Sequence, residues 1–274
     1  MIPAAFDYVR AGSADEAVGL IREHGEDAKF LAGGMSLIPL MKLRLATPTV
    51  LVDLGRVRDL SYIRDAGEHL AIGALTRHRD LETSDLLAKE CGVLRAVAAQ
   101  VGDNQVRHRG TLGGTVAHGD PASDLPAALL ALDASFVVRG GDGERTIAAG
   151  DFFQGFLETA LAADEMITEI RVPKAGAVGF DFQKFNRRAQ DWAIVGAVAA
   201  RVNGSTRVAL VNMASTPIRA AAVEAALAGG ASIADAAALA ADGTEPAADL
   251  NASVEFREHL ARVLVRRALE AAAG

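Results

Sequence analysis

The chain alternates apolar and polar positions with two different periods, and the switches between them mark its parts. Ser13 can cap a helix, with Glu16 three residues later as a capping-box partner. Ala17, Leu20 and Ile21 then make one apolar face, and Gly25 stops the helix. A short strand over 28–32 runs into the loop Gly33-Gly34-Met35-Ser36, and a second helix is expected over 37–44. Pro48 closes that unit before a buried strand at 49–54. A strand at 69–76 opens the middle section, followed by a helical region over 85–100 and a glycine-rich loop at 110–114. Residues 125–132 predict a short apolar helix, with Pro126 tolerated in its first turn. Two strands flanking Gly140-Gly141-Asp142-Gly143 predict a hairpin, and a further strand at 166–172 ends at Pro173.

From about residue 176 the pattern becomes strand-like over 179–185, 193–202 and 207–213. Asn203-Gly204 is a strong turn signal between the last two. The alanine-rich stretch 220–248 reads as helices and linker without chemistry. Phe256, Leu260, Val263 and Leu264 define a terminal amphipathic helix. No repeat recurs at a solenoid period. The fold class is α+β, with boundaries expected at 1–57, 58–175 and 176–274.

Composition narrows the function classes. The net charge of -7 opposes a sequence-independent nucleic-acid binder, which needs a basic face. With Cys91 as the single cysteine, neither an intrachain disulfide nor an all-cysteine metal site can form. The first residues carry no basic-then-apolar leader, and every apolar run is shorter than a membrane span of roughly 20 residues. A soluble, cytoplasmic protein is expected.

Two glycine loops carry the candidate chemistry. Ala32-Gly33-Gly34-Met35-Ser36 lies between a strand and a helix, where outward-pointing amides favour an anion such as a diphosphate. Thr111-Leu112-Gly113-Gly114-Thr115 adds a hydroxyl at each end. Either loop alone is more often an ordinary turn. Neither matches the dinucleotide or triphosphate glycine fingerprints. His108 and His118 flank the second loop without a partner at metal spacing. These two read as structural, and His24, His69, His78 and His259 are scattered.

The motifs AGGMSLIPLMKLR at 32–44 and GTLGGTVAHGDPASDLPA at 110–127 resemble the two cofactor loops of the FAD-binding middle subunits of molybdenum hydroxylases. The resemblance runs along the whole chain. It implies a PCMH-type FAD-binding fold of two α/β subdomains, similar to that of the vanillyl-alcohol oxidases. A C-terminal domain with a small antiparallel sheet and helices would follow. It also implies noncovalent FAD and a heterotrimer that dimerises. A small partner would carry two [2Fe–2S] clusters, and a large molybdopterin partner would carry the molybdenum cofactor and the substrate. The middle subunit would pass electrons from the clusters to an external acceptor.

By the same resemblance, residues 32–36 and 111–115 would wrap the diphosphate and ribityl chain with backbone amides. Asp124 would accept hydroxyl hydrogen bonds from the cofactor, against the plainer reading that it caps the following helix. Lys184 would stand near the flavin ring, against a solvated strand-end lysine. Trp192 would cover the ring, against a buried core tryptophan. Val101 and Ile167 match apolar positions around the adenine or the ring. Met35, Thr115 and Trp192 depart from the commoner family residues, which are Gln or His, Asn, and Tyr. A self-sufficient flavin oxidase and a scaffold subunit that has lost FAD are the alternatives. The oxidase would need a base above the flavin, which the sequence does not supply. The single cysteine excludes the iron–sulfur insertion that some related reductases carry.

Overall fold

A computed structural model describes residues 1–274. The first unit contains β1 (Asp7–Arg10), α1 (Ala14–His24), β2 (Ala28–Leu31), α2 (Leu37–Lys42) and β3 (Val50–Asp53). Its three strands are parallel in the order β1-β3-β2. Ser13 caps α1 by accepting from the Glu16 amide, but the Glu16 carboxylate accepts from Gly12 rather than from Ser13. The capping box is therefore displaced by one residue. Ala17, Val18 and Ile21 pack on Val50 and Val52. β1 is too short and polar, as Asp-Tyr-Val-Arg, to show a strand pattern on its own.

The middle unit begins with β4 (Ile63–Asp65), β5 (His69–Gly73) and α3 (His78–Thr83). Helices α4 (Asp85–Glu90), α5 (Gly92–Ala99), α6 (Asn104–Arg109), α7 (Leu112–His118) and α8 (Asp124–Ala131) follow. Then come β6 (Ser135–Gly140), β7 (Gly143–Ala148), α9 (Ala149–Phe152), the small hairpin β8 (Phe153–Gly155) and β9 (Glu158–Thr159), and β10 (Met166–Pro173). The sheet runs β4-β5-β10-β6-β7, all antiparallel.

The helical region expected over 85–100 is broken at Cys91 (φ -157°, ψ 64°). There the Gly92 amide donates to Gly176, while the amides of Ala175 and Gly176 donate to Glu90. A crossing strand exit has taken over the helix's own hydrogen bonds. The loop expected at 110–114 is the beginning of α7, whose N-cap is Thr111.

The last unit contains β11 (Phe180–Phe185), β12 (Val195–Val202), β13 (Ser205–Val211) and β14 (Ile218–Arg219). Its helices are α10 (Ala221–Ala228), α11 (Ile233–Ala238) and α12 (Val254–Ala273). The antiparallel sheet is buried on both faces. Val198, Ala200 and Val202 join the core of the middle unit, while Val195, Ala197 and Ala199 face α10 and α12. Period-two alternation thus ties this unit to the rest through one face of its sheet. Asn203 and Gly204 both take positive φ, as a tight primed hairpin turn requires. Helix α12 buries Leu260, Ala261, Leu264, Val265 and Ala268. Phe256 stays outside that face and packs edge-on against Phe185. No helix is long and apolar enough to cross a membrane.

Candidate functional site

The three units meet around a cleft of about 610 Å³. The first unit supplies the loop after β2, and the middle unit supplies α7, the first turn of α8 and the start of β10. The last unit supplies the end of β11 and the loop after it. Ala32, Gly33, Gly34, Met35, Ser36, Val101, Thr111, Gly113, Gly114, Thr115, Asp124, Ile167, Lys184 and Trp192 all line the cleft.

Leu112 is the exception. It is fully buried in the core beneath the cleft. As the first helical residue of α7 it points its apolar side chain inward, and its amide donates to the Thr76 carbonyl at 2.9 Å.

The two glycine loops differ in what they offer. The backbone amides of Gly33, Gly34, Met35, Ser36 and Leu37 have no acceptor within the chain. Gly34 makes this run possible by taking φ +77°. Successive free amides at the entrance to a helix form a concave anion site. In the second loop the amides of Leu112, Gly113, Gly114 and Thr115 are already committed. Gly113 donates to Ala74 at 2.8 Å, and Gly114 donates to the Thr111 hydroxyl at 3.3 Å. Gly113 is glycine because a Cβ there would lie 2.6 Å from that of Ala74. The second loop therefore offers side-chain hydroxyls and a bare wall rather than a ring of amides.

Asp124 and Lys184 are brought together. The Lys184 ammonium meets Asp124 Oδ2 at 2.6 Å, with 5% and 4% of the two side chains exposed. A further hydrogen bond runs from Lys184 to the Gln100 carbonyl at 3.1 Å. Asp124 Oδ1 is buried without any partner. Burial raises the Asp124 carboxyl to about 6, although Lys184 pulls it down. Asp124 does not cap α8; Ser123 holds the N-cap position and Asp124 is the first helical residue. Lys184 is not a solvated strand end. Trp192 is not core, since 57% of it is exposed at the cleft.

His78 also lines the cleft, and its sequence context gave no hint of this. It is 2% exposed. Its Nε2 lies 3.1 Å from the Thr115 hydroxyl, and its Nδ1 is buried without a partner. Burial first, and then the Arg107 charge, lower its pKa to about 4, so the ring is neutral. The strand-like pairing of Arg77 with Thr111 places it there. Lys29, His118, Ser123, Glu165 and Asp191 are among the further polar residues that line the cleft beyond the expected set. No group of three or more His, Cys, Asp or Glu side chains is arranged to hold a metal ion.

Free amides, a buried acid–base pair and an exposed indole around one cleft suit a ligand with an anionic part and an aromatic part. The comparisons make the class specific. Residues 4–175 match the family described as the FAD binding domain in molybdopterin dehydrogenase, and residues 180–272 match the CO dehydrogenase flavoprotein C-terminal domain. The chain belongs to this family of FAD-binding medium subunits of molybdenum-containing dehydrogenases.

The carbon monoxide dehydrogenase medium chain of Hydrogenophaga pseudoflava is 42% identical, over 99% of this chain and 98% of that one. The 6-hydroxypseudooxynicotine dehydrogenase complex subunit alpha of Paenarthrobacter nicotinovorans is 38% identical, over 98% and 95%. Among solved structures, carbon monoxide dehydrogenase from H. pseudoflava superposes with a TM-score of 0.96 at 42% identity, covering 100% of this chain and 99% of that one. Quinoline 2-oxidoreductase from Pseudomonas putida 86 superposes at 0.93 and 32% identity, covering 100% and 99%.

Proposed function

We propose that this chain holds FAD noncovalently and relays electrons within a molybdenum hydroxylase. It would accept them from [2Fe–2S] clusters of a small partner and deliver them to an external acceptor. The large partner would hold the molybdenum cofactor and the substrate. A heterotrimer that dimerises, located in the cytoplasm, is the assembly this reading carries. Within it, residues 1–57 and 58–175 form the two FAD-binding subdomains and 176–274 the added domain.

The observation that carries the reading is the run of unpaired amides at 33–37. It fits a diphosphate, and it argues against a scaffold that has lost its cofactor. Asp124 Oδ1, buried and unpartnered, fits a hydroxyl donor of the ribityl chain or ribose. Thr111 and Thr115 add hydroxyls. Val101 and Ile167 give apolar contact, and Trp192 stands exposed for stacking. When bound, FAD supplies a centre that takes up and releases electrons. The chain's own part is to bind it, orient it, exclude water along the buried side and hold the Lys184 charge in place.

The test is the absorption spectrum of the purified chain with added FAD. A spectrum that shifts on binding, with flavin released intact by acid, supports the reading. A chain that takes up no FAD, and gains no thermal stability from it, overturns it.

A further inference from the structure

The Asp124–Lys184 pair has no net charge, and both side chains are largely buried in the wall of the cleft. A cofactor that gains electrons adds negative charge to this surrounding. In a desolvated cleft that charge is poorly screened and favours uptake of a proton nearby. The pair can answer such a change, because one carboxylate oxygen is occupied by the ammonium, while the other has no partner within the chain and keeps a free lone pair even when it accepts a cofactor hydroxyl.

Other groups around Asp124 are less suited. From α3, His78 is held at about 4, further from proton uptake than Asp124 at about 6. His118, on α7, is lowered by burial and partly restored by Asp120. Helix α5 contributes no charge here, since its Arg95 reaches the Glu82 carbonyl instead. On β13 and β14, Arg207 and Arg219 are engaged by Asp133 and Glu224 beyond the other end of α8. Glu165, before β10, is tied to Arg145 and lowered by it. Lys29, on β2, and Asp191, in the loop after β11, also line the cleft.

Resting on the FAD reading above, we propose that Asp124 is the proton acceptor that balances cofactor reduction. As electrons arrive from the reduced partner, Asp124 takes one proton from water. An O–H bond forms on its carboxylate as an O–H bond of a solvent hydronium breaks to leave water, and no bond within the protein breaks. The positive charge of Lys184, no longer cancelled, then faces the added negative charge. Electron and proton enter the cleft together.

The experiment is a reduced-minus-oxidised infrared difference spectrum of the FAD-loaded chain above pH 6, with the midpoint potential followed against pH. Reduction is expected to bring up a protonated-carboxyl band that Asp124→Asn lacks, and that variant's potential should depend less on pH. If Asp124→Asn does not hold FAD, Lys184→Met carries the test. Without its cation the buried carboxyl is raised further, so just above pH 6 it is already protonated before reduction and the difference band should vanish.

No carboxyl band in the parent chain, as when the proton goes to His118, overturns the proposal. So does a band unchanged in Asp124→Asn, or one that persists in Lys184→Met. A chain that takes up no FAD at all overturns the cofactor reading itself, and this inference with it.

Discussion

A Cβ placed on Gly33 would lie 2.3 Å from the Arg109 carbonyl oxygen. The first glycine loop is thus pressed against the end of α6, directly before the second. Gly33→Ala must push the two apart. We predict a loss of about 1–3 kcal/mol by urea unfolding, together with weakened FAD binding. Gly19→Ala is the control: it lies within α1 with open space around it, and is expected to stabilise by roughly 0.5–1 kcal/mol.

Lys184→Met leaves a carboxylate buried without its cation. We predict a cost of about 3–5 kcal/mol at pH 8, easing as the pH falls and Asp124 protonates. The double variant Lys184→Met, Asp124→Asn should recover part of that loss. A double-mutant cycle in urea measures the coupling, and additive effects would contradict the pairing.

His78 and Asp124 set opposite pH dependences. His78 titrates at about 4 when folded and near 6.5 when unfolded, so it binds fewer protons in the native state. Its contribution makes stability rise from pH 4 to pH 6.5, by about 3 kcal/mol at most. Asp124 is raised to about 6 from 3.8, so its contribution is greatest below 3.8 and is lost as the pH rises through 6. Between pH 4 and 6 the two nearly cancel in the parent chain. His78→Gln should therefore lose stability as pH rises through that window, and Asp124→Asn should gain it. Unfolding midpoints across the window check both signs.

Arg257 is buried in α12, where it donates to the Ile194 carbonyl and pairs with Asp249 at 2.8 Å. Asn212 holds the Ala193 carbonyl beside it at 2.8 Å. Together they pin the backbone immediately after Trp192. Arg257→Met is expected to destabilise by about 3 kcal/mol, leaving Asp249 and the carbonyl without their partner. The emission of Trp192, the only tryptophan, should also change in the folded variant. Unaltered emission would show that the indole is placed by something else.

The sequence made the regular elements legible where period and punctuation agreed, as in α1, the β6–β7 hairpin and the Asn203-Gly204 turn. It failed where a tertiary contact decided the outcome. The break at Cys91 comes from Gly176, some eighty residues away by roughly counting the chain, and no local signal marks it. The cleft residues were legible through family likeness in the two motifs, but their use was not. The two Gly-Gly pairs look alike in sequence. Only the fold separates free amides at 33–37 from amides committed to Thr76 and Ala74. Leu112 was counted with its motif although its apolar side chain belongs to the core. His78 carries no local signal, because its partner, Thr115, is distant in sequence and meets it through the Arg77–Thr111 pairing.

On the proposed function, the amides at 33–37 hold the diphosphate of FAD. The direct measurement compares FAD with riboflavin, which lacks the diphosphate and the adenosine, and with FMN, which keeps one phosphate, by titrating the chain and following Trp192 fluorescence. Charge-assisted hydrogen bonds from those amides predict that FAD binds at least about a hundredfold more tightly than riboflavin, with FMN between them, and that high salt narrows the gap only in part. Equal affinities for FAD and riboflavin would contradict the account, because the loop would then contribute nothing that the flavin ring does not already supply.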